Sequence, residues 1–263
     1  MIGAIIGDIA GSVYEYAGNK DPSVPLFPPG ASYTDDSILA VATASAILDQ
    51  RAYVSAYRQF GHQYPHPMGG YGLGFKQWLM GSDLKPYNSW GNGSAMRVAP
   101  VGWAFETLEQ TIEEAKRSAE VTHNHMCGIT GAQAVAAAIW WARHRKSKNE
   151  IRELVVRHFG YALARSVAGI RSTYTFDSSC QGTVPEAIAA FLDSTDFESA
   201  LRNAISLGGD ADTLGCITGG IAQAFYREIP PHLLNPARNL LPAELLGIVD
   251  RFSERYPLFH TPS

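Results

Sequence analysis

Apolar positions along this chain recur mostly with a helical period. Asp36–Leu48 (DSILAVATASAIL) is apolar and Ala-rich throughout, with Thr34 placed as an N-cap and acids in the first turn, as the helix dipole favours. TLEQTIEEAKRSAEV sets Leu108, Ile112, Ala115 and Ala119 on one face and charges on the other. CGITGAQAVAAAIWWARHRK predicts a strong helix with a basic last turn. Asn149–Phe159, Val184–Leu192, Asp196–Leu207 and Glu244–Tyr256 read likewise, with Pro185 at the start of its helix, a tolerated position. IGAIIGDIAG and GCITGGIAQA are made of small and apolar residues on every side. They predict central helices whose backbones approach closely.

Period-two alternation is scarce, so the expected fold is all-α, a compact orthogonal helical bundle. No fixed-period repeat or low-complexity tract divides it, and residues 1–263 are read as a single domain. Two stretches read as loops. KDPSVPLFPPGAS, with four prolines, joins the first helix to the second. HQYPHPMGGYGLGFKQWLMGSDLKPYNSWGNGS is rich in Gly, Pro and aromatics, and long glycine-rich loops often carry function.

At 46% hydrophobic and 17% charged residues, the chain has material for a sizeable core. The net charge is −4 and no Lys/Arg run occurs, so a phosphate-neutralising nucleic-acid groove is not expected. Three scattered cysteines argue against a disulfide framework. The apolar N-terminus lacks a basic leader and Asp8 interrupts it. With no candidate membrane span either, the expectation is a soluble cytoplasmic protein.

The chemistry concentrates in acids that open apolar segments. Thr34-Asp35-Asp36 and Asp210-Ala211-Asp212-Thr213 are far apart in sequence and alike in content. Either alone reads as helix capping. Together they predict a cation site, because convergent carboxylates repel and need counter-charge. Mg²⁺ and Mn²⁺ take such oxygen ligands, and no dense His/Cys set points to zinc. Four carboxylates balance two divalent ions, which in two-metal sites lie roughly 3.5–4 Å apart. Gly208 and Gly209 allow the irregular turn that would aim Asp210 and Asp212 together. Asp8 reads as a buried acid with a hydrogen-bonding or functional role. Glu15 reads as a surface acid or a mobile ligand near the first loop.

GDIAGSVYE, YTDDS, SWGNGSAMRVAP, VTHNHMCGITGAQA and SLGGDADTLGCITGGIAQAFY, in this order, resemble the ADP-ribosylglycohydrolase family, which includes the dinitrogenase reductase-activating glycohydrolases. The resemblance runs from Ile2 to about Tyr226. It implies an all-helical single domain that uses two Mg²⁺ or Mn²⁺ ions to hydrolyse the bond between ADP-ribose and a modified side chain. ADP-ribosylated protein, or another ADP-ribosylated acceptor, would be the partner and ADP-ribose the product. By motif, Thr34, Asp35, Asp36, Asp210, Asp212 and Thr213 would hold metal, and Glu15, Asp35 and Asp210 would be catalytic. GSVYE looks like the serine-directed branch and THNHMCG like the arginine-directed branch, which leaves the linkage, nucleobase included, open. The family also extends to lens crystallins. A non-catalytic ADP-ribose-binding or structural protein is therefore the alternative, with a two-metal hydrolase of another nucleotide-like substrate as a third reading.

Glycine-rich turns are candidates to cradle the pyrophosphate: Gly70 and Gly72 in GGYGLG, and Ser89, Gly91, Asn92 and Gly93 in SWGNGS. Trp90 is read as stacking on adenine, against core packing as the alternative. Arg97 is read as structural. His123, His125 and Cys127 would need a fourth ligand for zinc and an orienting acid for a Cys–His nucleophile. The preferred reading puts His123 in the substrate cleft and Cys127 at the start of a packed helix.

Overall fold

The computed structural model describes residues 1–257, so the last six residues of the expected domain lie outside it. The expectation of an all-α fold holds: among the described residues there are helices and two isolated bridges, Thr34 with Met68 and Gly91 with Ser179, and no strand. The helices in chain order are α1 (Ile2–Gly11), α2 (Asp35–Leu48), α3 (Tyr53–Gln63), α4 (Leu73–Met80) and α5 (Gly93–Met96). Then follow α6 (Ala99–Ala104), α7 (Leu108–Glu120), α8 (Met126–Arg143), α9 (Lys148–Phe159) and α10 (Val167–Arg171). The last are α11 (Cys180–Leu192), α12 (Phe197–Ile205), α13 (Ala211–Tyr226), α14 (Pro231–Leu240) and α15 (Ala243–Arg255).

The centre is α13, where every residue from Ala211 to Ala224 is buried. It lies antiparallel against α1, itself wholly buried. Around α13 pack α8, α11 and α12, while α2 closes the other side of α1. The α1–α13 contact is made backbone to backbone. A Cβ on Gly3 would stand 2.4 Å from the carbonyl oxygen of Gly219, one on Gly7 1.9 Å from that of Gly215, and one on Gly11 2.2 Å from that of Ala211. Real side-chain carbons do not come so near, so the register needs glycine at these crossings. Gln223 seals the far end by accepting a hydrogen bond from the Gly3 amide at 2.8 Å. One hydrophobic cluster runs from Met1 to Phe252 around this pair.

Local signals set most helix starts. The side chains of Thr107, Ser147 and Asp196 cap α7, α9 and α12, and Ser147–Glu150 and Asp196–Ser199 form reciprocal capping boxes. Two readings need correction. Pro185 is not at a helix start: α11 begins five residues earlier, at Cys180. Ser179 caps it, its hydroxyl accepting from the Gly182 amide at 3.0 Å, and remote contacts add to this: the Cys180 amide donates to the Trp90 carbonyl at 3.0 Å and Ser179 bridges to Gly91. The glycine-rich stretch is not wholly loop either: it contains α4, whose Phe75, Trp78 and Leu79 form a short buried stripe. The four-proline segment is loop as expected. It is pinned by Arg202, which donates to the carbonyls of Pro22 (2.8 Å) and Val24 (3.1 Å).

The glycine contact predicts opposite outcomes for one added methyl group. Gly7→Ala should lower the unfolding free energy by about 3 kcal/mol or more, because the new carbon meets rigid backbone. Gly247→Ala, in α15 with open space around it, should raise it by up to about 1 kcal/mol through helix propensity. Urea unfolding of the two variants measures both.

Candidate active site

The antiparallel register decides where the acids meet. The C-terminal end of α1 and the N-terminal end of α13 lie together at the Gly11–Ala211 crossing. Asp8 therefore lies one turn from that end of α1, and Asp210 and Asp212 open α13 beside it. Asp8 is fully buried and has a structural task. Its carboxylate accepts from the Thr34 amide (3.0 Å), the Thr34 hydroxyl (2.7 Å), the Ser37 amide (3.1 Å) and the Ser37 hydroxyl. It thus moors the start of α2 to α1. Thr34 in turn caps α2, its hydroxyl accepting from the Asp36 amide at 3.2 Å.

The moored turn brings Asp35 and Asp36 toward Asp210 and Asp212. The charges of Asp210 and Asp35 both act on Asp36, so the two motifs lie together. Gly208, with φ +70°, makes the irregular bend before Asp210. Glu15 follows the 3-10 turn Ser12–Tyr14 that ends α1, so it stands where helix gives way to loop. Its carboxylate lies with those of Asp210 and Asp212, one oxygen from each within 4.8 Å of the others. Gly69 leaves room for it: a Cβ there would meet Glu15 Oε2 at 2.8 Å.

The electrostatics are those of carboxylates crowded together. Burial holds Asp36 and Asp212 well above the usual carboxylate range, and repulsion adds to it, from Asp8 and Asp35 in one case and from Asp210 and Asp36 in the other. Burial and then the Asp8 charge do the same to Asp35. Burial raises Asp210 and Glu15, and pushes Asp8 to about 6 in spite of its four hydrogen bonds. None of these acids takes part in an ion pair among the described residues. Asp36 Oδ2 is buried without a hydrogen-bond partner. An orphaned carboxylate oxygen beside three convergent carboxylates fits a hard divalent cation, whose ligands are oxygens. Thr34, Asp35, Asp36, Asp210, Asp212 and Thr213, with Glu15, are the groups available to hold one.

Beside the acids lies a pocket of about 200 Å³. Asp35, Gly72, Ser89, Gly91, Asn92, Gly93 and His123 line it, together with Phe75 and Tyr87, which the sequence reading missed. Tyr87 sits in a polar stretch with no periodicity to mark it, and Phe75 belongs to the unrecognised α4. Asn92 couples pocket to acids: its amide nitrogen donates to Asp210 Oδ2 at 2.7 Å and to the Thr183 hydroxyl at 3.1 Å. Trp90, between the pocket-lining Ser89 and Gly91, is 56% exposed and edge-on to His125, which rules out core packing for it. Gly70 lies outside the pocket lining, against Lys76. His125 accepts from the Cys127 amide at 3.1 Å and caps α8, so the H-x-H-x-C spacing marks a helix start. The three cysteines are free.

The family model described as ADP-ribosylglycohydrolase matches residues 1–259. The chain belongs to the ADP-ribosylglycohydrolase family. With relatives that are ADP-ribosylhydrolases, it is a hydrolase of glycosyl bonds. The match also takes in α14 and α15, which the sequence motifs did not reach. Among relatives, human "ADP-ribosylhydrolase ARH3" is 26% identical, with 86% of this chain and 84% of that protein covered. "ADP-ribosylarginine hydrolase Tri1" of Pseudomonas putida is 25% identical over 86% of this chain and 69% of its own. A solved "ADP-ribosylglycohydrolase-related protein complex" superposes with a TM-score of 0.68 at 23% identity, covering 97% of this chain and 98% of that one, and shares the fold. No helix among the described residues is long and apolar enough to cross a membrane.

The crowding predicts a stability response. The folded state keeps the clustered carboxyls protonated to higher pH than the unfolded chain does, so in chelator stability falls as pH rises through their raised values, for Asp8 between 3.8 and about 6. Adding Mg²⁺ at pH 7.5 should raise the melting temperature. Asp36→Asn should melt higher than wild type in chelator and lose most of the Mg²⁺ effect, as thermal denaturation would record.

Proposed function

We propose that the chain hydrolyses the bond between the ribose C1″ of ADP-ribose and a modified protein side chain, arginine or serine, with the help of two divalent cations. One observation carries this reading. Two acid motifs 174 residues or more apart in sequence meet, with Glu15, beside a pocket that Asp35 and the SWGNGS turn both line. The relatives' names, one for ADP-ribosyl and one for ADP-ribosylarginine hydrolysis, agree with it. A non-catalytic protein would have no use for buried, mutually repelling acids.

Thr34, Asp35, Asp36, Asp210, Asp212 and Thr213 would hold the cations, which when bound orient the ribose hydroxyls and make water more acidic. The residues themselves do the rest. Asp8 fixes the TDD turn through four hydrogen bonds, and Asn92 holds Asp210 in place. Asp35 and Asp210 are the carboxylates suited to take the proton of the attacking water, and Asp35 is the one that lines the pocket. The water oxygen bonds to C1″ as the C1″–acceptor bond breaks, and the acceptor atom leaves with a proton. Glu15, at the end of the helix and half-buried, is placed to give way as the acceptor enters. At about 200 Å³ the pocket is below the size usual for such a ligand, so the adenosine end reaches over the rim toward Trp90.

Two variant sets test this. Asp35→Ala and Asp212→Ala should each abolish Mg²⁺-dependent release of ADP-ribose from arginine- and serine-linked proteins. Full activity of both variants in limiting Mg²⁺ would overturn the proposal. Glu15→Gln should keep ADP-ribose affinity and lose most turnover in single-turnover cleavage. A larger loss on the serine-linked substrate marks Glu15 as a specificity residue, an equal loss on both as a general one, and no loss as a bystander.

A further inference from the structure

The pocket has a cationic side as well as an acidic one. Arg97 follows the SWGNGS turn, is 0% exposed and lines the pocket with His123. It takes part in no ion pair among the described residues. Its Nη2 donates to the Ser118 carbonyl and to the Thr122 hydroxyl, both at 2.9 Å, and its guanidinium lies 4.1 Å from the centre of the Tyr57 ring. Nε and Nη1 are buried with no hydrogen-bond partner. A buried charge without a counter-ion is costly, and its field acts at short range with little screening. Such a group suits a site that receives an anion.

The same Thr122 hydroxyl lies 2.7 Å from His123 Nδ1. A guanidinium can only donate, so Thr122 Oγ1 is an acceptor toward Arg97. Two arrangements then remain. Thr122 donates its proton to an unprotonated Nδ1, or a protonated Nδ1 donates to Thr122. The cation on the Nδ1 side decides between them, because it attracts the ring's lone pair and repels an N–H in the same place. Nε2 must then carry the proton. It faces the turn, 3.1 Å from where a Cβ on Gly93 would be and 3.7 Å from one on Gly91. The Tyr87 ring stands 5.9 Å from the imidazole on another side.

We propose that Arg97 and Thr122 fix His123 as the neutral Nε2–H tautomer, a donor aimed across the Gly91–Gly93 turn at a phosphate oxygen of ADP-ribose. This rests on the pocket's being the ADP-ribose site. Thr122 is a positioning residue, and Arg97 acts on His123 through it. The neutral state agrees with the depression of the His123 pKa, to which burial contributes most and the Arg97 charge next.

The wild-type protein gives the direct test. Long-range ¹H–¹⁵N spectra of the imidazoles, with His123 assigned from His123→Gln, should show a protonated Nε2 and a bare Nδ1. The Nε2 proton should shift on adding ADP-ribose. A proton on Nδ1, or on both nitrogens, at pH 7 overturns the proposal whatever the variants do. In binding assays Thr122→Val should weaken ADP-ribose and AMP roughly tenfold, the scale of a hydrogen bond to a charged group, and leave adenosine unchanged. Thr122→Ser should restore affinity to within about twofold. Equal weakening of adenosine would place the contact on the nucleoside and overturn the phosphate assignment. A wild-type protein that binds none of the three ligands would instead sink the proposed function, with the tautomer measured independently.

Discussion

The backbone contact between α1 and α13 is the constraint on which the rest of the structure hangs. Glycine at positions 3, 7 and 11 lets α1 lie against the carbonyls of Gly219, Gly215 and Ala211 with no side chain between. Such contact tolerates little sliding, because a shift of one residue would drive a Cβ into a peptide group. The register is therefore fixed, and with it the distance between Asp8 at one helix's end and Asp210 and Asp212 at the other's beginning. A site that depends on oxygens placed to a fraction of an ångström benefits from rigid elements beneath it.

On this frame the protein keeps charges that its own stability would not select. The acids are crowded and their protonated forms favoured, Asp36 leaves an oxygen unpartnered, and Arg97 has no anion. Each is a local cost that a large apolar core can offset, and such costs concentrate where ligands bind. The two signs are separated across one small pocket, acids on the side of α1, α2 and α13, and the guanidinium behind the SWGNGS turn. Asn92, in that turn, donates to Asp210 and to Thr183 and so ties the turn to the acids. The pocket thus has a polarity, and ADP-ribose, with hydroxyls at one end and a pyrophosphate in the middle, has a matching one.

Much of this was legible in the sequence. Small residues on every side of IGAIIGDIAG and GCITGGIAQA marked the central helices, because only buried helices can afford no polar face. The acids stood out since Asp8, Asp36 and Asp212 interrupt or open apolar segments where a charge needs a reason. The Thr34 cap announced its helix through a local hydrogen bond. These signals travel because each depends on residues within a turn or two of one another. At α11 the reading failed although a local cap, Ser179, was there: Pro185 inside the first turns misled as to the beginning of the helix.

The tertiary structure alone decided how the pieces combine. That Asp8 moors Thr34 and Ser37, rather than joining the acids as a ligand, follows from the depth at which α1 is buried. Trp90 reads from sequence as core or as stacking surface, and only its exposure in the fold excludes the core. Arg97 looks like any structural arginine until its neighbours show no carboxylate. The sequence determined which residues bear charge and which helices are buried, since burial and period are written locally. Which charges face each other was left to the antiparallel register of two glycine-lined helices, because distance in space is set by packing and has no signature in distance along the chain.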